Sequence, residues 1–138
     1  MKHIKVLVEW SDGNFGAGTG EVNGAVFATG KTIEEVKQNF KAAFQFHIKG
    51  SLEDGDKLPS YIVKGNYGFD FELQASAMLH LADGLITRSA LSRVTGINEK
   101  QLSHYRTGHR KPRPMQNKRI ATGIKTIEKQ IKELSELV

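Results

Sequence analysis

The stretch Leu91-Ser92-Arg93-Val94-Thr95-Gly96-Ile97-Asn98-Glu99-Lys100-Gln101-Leu102-Ser103 sets two short helical patterns end to end across one glycine. Leu91, Val94, Ile97 and Leu102 supply the apolar contacts that two short helices need to pack across a tight turn, and Gly96 accepts the positive φ such a turn demands. Asn98 is a natural N-cap for the second helix. That helix presents Glu99, Lys100, Ser103 and His104 on the side away from Leu102, as a helix entering a DNA major groove must. A helical hairpin with a merely solvated basic face is the plainer alternative.

Downstream, Gly108 stops the second helix and His109-Arg110-Lys111-Pro112-Arg113 follows as a basic loop. Arg110, Lys111 and Arg113 are positioned there for phosphate oxygens, as are Arg88 and Asn98 at the starts of the two helices. Helical patterning covers about 75–82, 87–95, 98–107 and 115–137, interrupted by Asp83-Gly84, Gly96, Gly108 and the Pro112/Pro114 pair. In the last stretch Ile124, Ile127, Ile131, Leu134 and Val138 follow a 3-4-3-4 rhythm. That seam either packs on the preceding helices or pairs with a second copy, and Gly123 permits a bend before it.

Charge separates this region from what precedes it. Residues 74–138 carry six Lys, six Arg and five acids, net +7, whereas residues 1–73 carry eight Lys, no Arg and ten acids, net −2. Between Arg88 and Arg119 nine basic residues face the single acid Glu99. A near-neutral module joined to one whose field attracts polyanions is the expected organisation, with the boundary after Leu73.

The first module reads as strands around one helix. Ile4, Val6, Val8 and Trp10 alternate with polar residues, and Ser11-Asp12-Gly13-Asn14 turns the chain. A return strand is expected over about 14–21, in which Phe15, Ala17 and Thr19 alternate with Gly16, Gly18 and Gly20 and leave a bare face that another backbone can approach. Asn23-Gly24 makes a second turn and residues 25–28 a third strand. Thr32 and Glu35 form a capping box opening a helix whose stripe, Ile33, Val36, Phe40, Ala43, Phe44 and Ile48 or His47, ends at Gly50. After a polar loop over 50–60, Tyr67, Phe69, Phe71 and Leu73 alternate as a fourth strand. The layout is βββαβ, an α+β layer pair.

Two resemblances follow from these residues. Residues 84–127 resemble the Xre/Cro-type, lambda repressor-like helix-turn-helix family, with Gly108, Arg110-Lys111-Pro112, Ile120-Ala121 and Ile124 in the places that family fills after its recognition helix. The family's usual Gln is Arg88 here, its usual Ala is Ser92, and a common Glu is Arg106. The resemblance implies that Glu99, Lys100 and, one turn on, His104 read bases. Glu9-Trp10-Ser11-Asp12-Gly13-Asn14-Phe15 and Ala28-Thr29-Gly30-Lys31-Thr32-Ile33-Glu34-Glu35-Val36, with Asn39 and Ala42 or Ala43 downstream, look like the HicB antitoxin N-terminal domain. Gly20-Glu21-Val22-Asn23 stands where that family often has Pro-Asp. This implies a degenerate RNase H-like βββαβ fold that binds and neutralises a HicA-type mRNA-cleaving toxin. The whole chain would then be a non-enzymatic antitoxin of a type II toxin-antitoxin system, cytoplasmic, without a cofactor, repressing its own operon as a homodimer or higher oligomer on double-stranded operator DNA. The alternative is a stand-alone helix-turn-helix regulator whose first module oligomerises or senses a ligand.

Other chemistries find less support. With no cysteine, zinc fingers, thiol nucleophiles and disulfide-stapled modules are excluded. Lys5 and Glu9 break the first apolar run, so neither a signal core nor a membrane span is expected there. Gly30-Lys31-Thr32 lacks the spacing of a phosphate loop, and Gly16, Gly18 and Gly20 lack that of a dinucleotide fingerprint. Glu9, Asp12, Glu21, Asp70 and Glu72 are the donors an RNase H-like nuclease would need for paired Mg²⁺, but Glu9, Asp70 and Glu72 fall on the polar strand phase and Asp12 in a turn. The five histidines are scattered, and no metal site is expected.

Overall fold

The computed structural model describes residues 1–19 and 25–138. The chain is α+β, with a four-stranded mixed sheet and six helices among the described residues. It divides into two compact units, Met1–Leu73 and Gln74–Val138.

In the first unit β1 (Lys2–Ser11), β2 (Asn14–Thr19) and β3 (Val26–Gly30) form an antiparallel meander. Helix α1 (Ile33–Glu53) and a single helical turn, α2 (Ser60–Val63), lead to β4 (Tyr67–Leu73), which lies parallel to β1, so the sheet order is β3-β2-β1-β4. The period-2 pattern decides which face is buried: Ile4, Val6 and Val8 of β1 are fully covered, as are Val36, Phe40 and Phe44 of α1. Phe69 of β4 meets Phe40 and Phe44 edge-on at centroid distances of 5.2 and 4.9 Å, geometry that adds roughly 0.5–1.5 kcal/mol per pair beyond area burial. The opposite face of the sheet stays in solvent, with Lys5, Leu7, Phe27, Asp70 and Glu72 exposed.

Several details differ from the sequence expectations. The α1 helix passes through Gly50 and ends at Glu53, because the buried Ser51 keeps the next turn packed. The stop comes at Gly55, φ +76°, where Gly55 N–H bonds Leu52 O and Asp56 N–H bonds Ser51 O, the paired bonds of a Schellman cap. Helix α2, anchored by the buried Ile62, interrupts what reads as loop and strand approach, so the order is βββααβ. The third strand begins at Val26 and extends to Gly30. The bare glycine track of β2 is covered by an aromatic ring and not by another backbone: a Cβ at Gly16 would lie 2.7 Å from Phe27 Cζ, and one at Gly18 3.2 Å from Phe27 Cδ2. Phe27 sits directly opposite Gly18, which brings its ring onto the side-chain-free track of β2. The far end of the expected second strand and the Asn23-Gly24 turn, with Gly20, Glu21 and Val22, lie outside the described residues.

The second unit comprises α3 (Ala75–Ala82), α4 (Arg88–Thr95), α5 (Glu99–Thr107) and α6 (Pro114–Ser135). Its core is built from Ala77, Leu79, Leu91, Leu102 and Ile120, each 2% exposed or less. No described helix is long and apolar enough to cross a membrane.

Candidate nucleic-acid interface

The joint between α4 and α5 is set by local chemistry. Thr87 caps α4 by accepting from Ala90 N–H, and Gly96 ends it in the left-handed region at φ +73°. Thr95 Oγ1 donates to Leu91 O and accepts from Ile97 N–H, so the turn's backbone is satisfied from within while Ile97 packs inward. Asn98 then caps α5, accepting from Gln101 N–H at 2.8 Å. Leu102 and Tyr105 bury one side of α5. On the other side Glu99 and Lys100 are exposed and His104 is half-buried, forming one edge along the helix.

Gly108, φ +78°, closes α5, and Arg110 N–H bonds His104 O, which ties the following loop back onto the helix. Arg110, Lys111 and Arg113 are all exposed on that loop, and the His109 ring lies 4.7 Å from that of His104. The pKa of His104 is held below the ordinary imidazole value, first by loss of hydration at its partly covered position and then by the positive charges of His109, Arg110 and Lys100. His104 is therefore a neutral donor–acceptor at neutral pH within a cationic patch.

Two residues expected at this surface face each other. Arg88 Nη1 donates to Ser103 Oγ at 2.7 Å and Arg88 Nη2 pairs with Asp83 at 3.2 Å, so this guanidinium spans α4 and α5. Arg106 pairs with the other oxygen of Asp83. One carboxylate thus holds arginines from two helices, and Ser103 is turned toward α4 while Glu99, Lys100 and His104 remain outward. Sequence reading treated Asp83 only as an interruption and Arg106 only as a departure from a pattern. The available signal was that Asp83 is the sole acid in residues 74–98, five positions before Arg88.

A second network supports α5 from below. Gln101 and Gln116 both donate to the Tyr105 hydroxyl, Arg119 Nη1 donates to Gln116 Oε1, and Arg119 Nη2 donates to Thr95 O at 2.6 Å. Arg119, although exposed, directs one guanidinium nitrogen onto the carbonyl at the end of α4, where a cation is favoured. The patch itself combines a rigid helical edge carrying hydrogen-bonding side chains of both signs with a loop of exposed cations beside it.

The described residues of the first unit gather no comparable site. Asp70 pairs with His3 at 3.2 Å and Glu72 with Lys5 at 3.5 Å on the exposed sheet face. Among the described residues no three His, Asp or Glu side chains come together to hold a metal ion, and Glu21 lies outside them. Gly30-Lys31-Thr32 is a packing joint: Thr32 Oγ1 accepts from Glu35 N–H, Glu35 accepts from Lys31 N–H, and a Cβ at Gly30 would stand 2.5 Å from Val36 N. Known protein families, curated proteins and solved structures contain no match to this chain.

Proposed function

We propose that residues 74–138 form a Xre/Cro-type, lambda repressor-like helix-turn-helix module, and that the chain is a HicB-like antitoxin and autorepressor acting on double-stranded operator DNA. The observation that carries this reading is the outward edge of α5, Glu99, Lys100 and His104, flanked by Arg110, Lys111 and Arg113. Lys100 offers a donor for guanine, Glu99 an acceptor for cytosine, and His104 either role. The loop cations fix register on phosphate oxygens. Asn98 presents its remaining amide donors at the start of α5, and Arg88, with Ser103 and Asp83, acts as the brace that holds α5 at its angle. A dimer then places two such edges on an inverted repeat with half-sites about 34–36 Å apart, or a multiple of that.

For the first unit, the strand and helix order supports a degenerate RNase H-like domain, whose partner by the same resemblance is a HicA-type toxin in the cytoplasm. The test is to co-purify the chain with the product of the adjacent gene, then measure binding to its own upstream sequence with and without that product. Salt-dependent, sequence-selective duplex binding is expected. A purified chain that ignores its own promoter at low ionic strength refutes the reading.

A further inference from the structure

The hydrogen bonds around Tyr105 leave one proton without an acceptor. Its hydroxyl, on a residue 4% exposed, lies 2.9 Å from the amide nitrogen of Gln101 and 3.3 Å from that of Gln116, its two partners among the described residues. A hydroxyl has one O–H donor and two acceptor lone pairs. Two incoming amides fill the lone pairs and give the phenol proton nowhere to go, which is costly at a covered position. One of the two amides must therefore present its oxygen. Gln116 is fixed by its other end, since Arg119 Nη1 donates to Gln116 Oε1 at 2.8 Å and a guanidinium has no acceptor to offer. Its nitrogen stays on Tyr105. The Gln101 amide has Tyr105 as its one described partner, and turning it through 180° exchanges nitrogen and oxygen without changing its shape.

We propose that Gln101 turns its amide oxygen to the Tyr105 hydroxyl and its nitrogen outward, and that it is a further specificity-determining residue of α5, selecting guanine. The selection rests on the operator reading; the orientation does not. In this arrangement every group donates in one direction, from Arg119 to Gln116, from Gln116 to Tyr105 and from Tyr105 to Gln101, and successive bonds of that kind polarise and strengthen one another. The series ends in two N–H donors on the third residue of α5, half-buried in its first turn and three residues before His104. The first turn of a recognition helix is the part that reaches base edges. A glutamine free to rotate reads adenine, its oxygen accepting from N6 and its nitrogen donating to N7. With the oxygen held by Tyr105 only donors remain, and guanine, with acceptors at both O6 and N7, is the base that satisfies them.

The orientation is tested on the free chain by NMR. The side-chain NH2 protons of Gln116 should show strong NOE contacts to the Tyr105 ring and those of Gln101 weak ones; strong contacts from Gln101 overturn the proposal. For the selection, the full chain draws its preferred site from a randomised pool of synthetic duplexes, and titrations then compare the four bases at each position. Gln101→Ala should lose about 10-fold of the preference for guanine at one base pair and leave the other positions unchanged. Tyr105→Phe, which releases the amide, should move that same position from guanine toward adenine. Should Tyr105→Phe fail to fold, Gln101→Glu keeps an acceptor for the hydroxyl, removes both donors and should move the position toward cytosine. A loss spread evenly over all duplexes on Gln101→Ala, or a base preference that none of these changes alters, overturns the proposal and leaves the operator reading standing. A chain that selects no duplex removes both.

Discussion

Replacing Asp83 with asparagine keeps the side chain's shape and removes the negative charge that Arg88 and Arg106 share. In the native arrangement Asp83 accepts from Arg88 Nη2 and forms an ion pair with Arg106, whose side chains are 23% and 35% exposed. A hydrogen bond to a charged group contributes roughly 1.5–3 kcal/mol when well shielded. Two such contacts, discounted because a quarter to a third of each partner remains in water, come to about 2 kcal/mol. The variant also leaves two cations facing one another across α4 and α5. For a unit of this size that loss lowers the melting temperature by about 10 °C. Far-UV circular dichroism reports chiefly on the helical second unit, while the fluorescence of the single tryptophan, Trp10, reports on the first and serves as an internal control. Duplex binding should become less selective while non-specific affinity rises, because the brace is weakened as net positive charge increases. An Asp83→Asn chain whose helical unit melts as the wild type does, with operator selectivity intact, would refute the account of Asp83 as the brace for α5. A double-mutant cycle with Arg106→Met should return a coupling of about 1 kcal/mol.

Lys100→Ala is expected to change which operator bases are preferred, at about 1–3 kcal/mol of discrimination, whereas Arg110→Ala should weaken all duplexes alike and reduce the salt slope by about one unit, both read by titrations at several ionic strengths. Operator affinity should rise on acidification through a transition below the ordinary histidine pKa, because His104 gains its charge late and phosphate favours the charged form; His104→Gln should abolish that component. The same depressed pKa means the unfolded chain binds this proton more readily than the folded one, so the second unit loses stability as pH falls from the unfolded value through the folded one. Gly30→Ala should destabilise the first unit by about 1–3 kcal/mol, seen in Trp10 fluorescence, since the new methyl meets the backbone of α1 at Val36.

Much of the architecture was legible because the relevant signals are local. Alternation marked β1 and β4, the 3-4 stripe marked α1, and Thr32, Thr87 and Asn98 cap the helices their positions suggested. Gly50 was a misleading stop, since glycine ends a helix only where packing no longer holds the next turn, and Ser51 does hold it. The four-residue α2 is too short to show periodicity, and its existence depends on Ile62 finding a buried place. At the candidate site, exposure of Glu99, Lys100 and His104 followed from helical phase. The Arg88–Ser103 contact did not, because it depends on how two helices cross and on an aspartate outside both. For the same reason the sequence left open how far the α6 seam packs inward, and the structure buries it as far as Ile127.

The Phe27 ring lying on Gly16 and Gly18 also links positions on neighbouring strands. Were residue 16 to acquire a methyl group, it would push the ring off its seat; were residue 27 to shrink, a strip of backbone would be laid bare to water. Neither change is neutral alone, so the two sites are expected to drift together over evolutionary time, each holding a veto over the other.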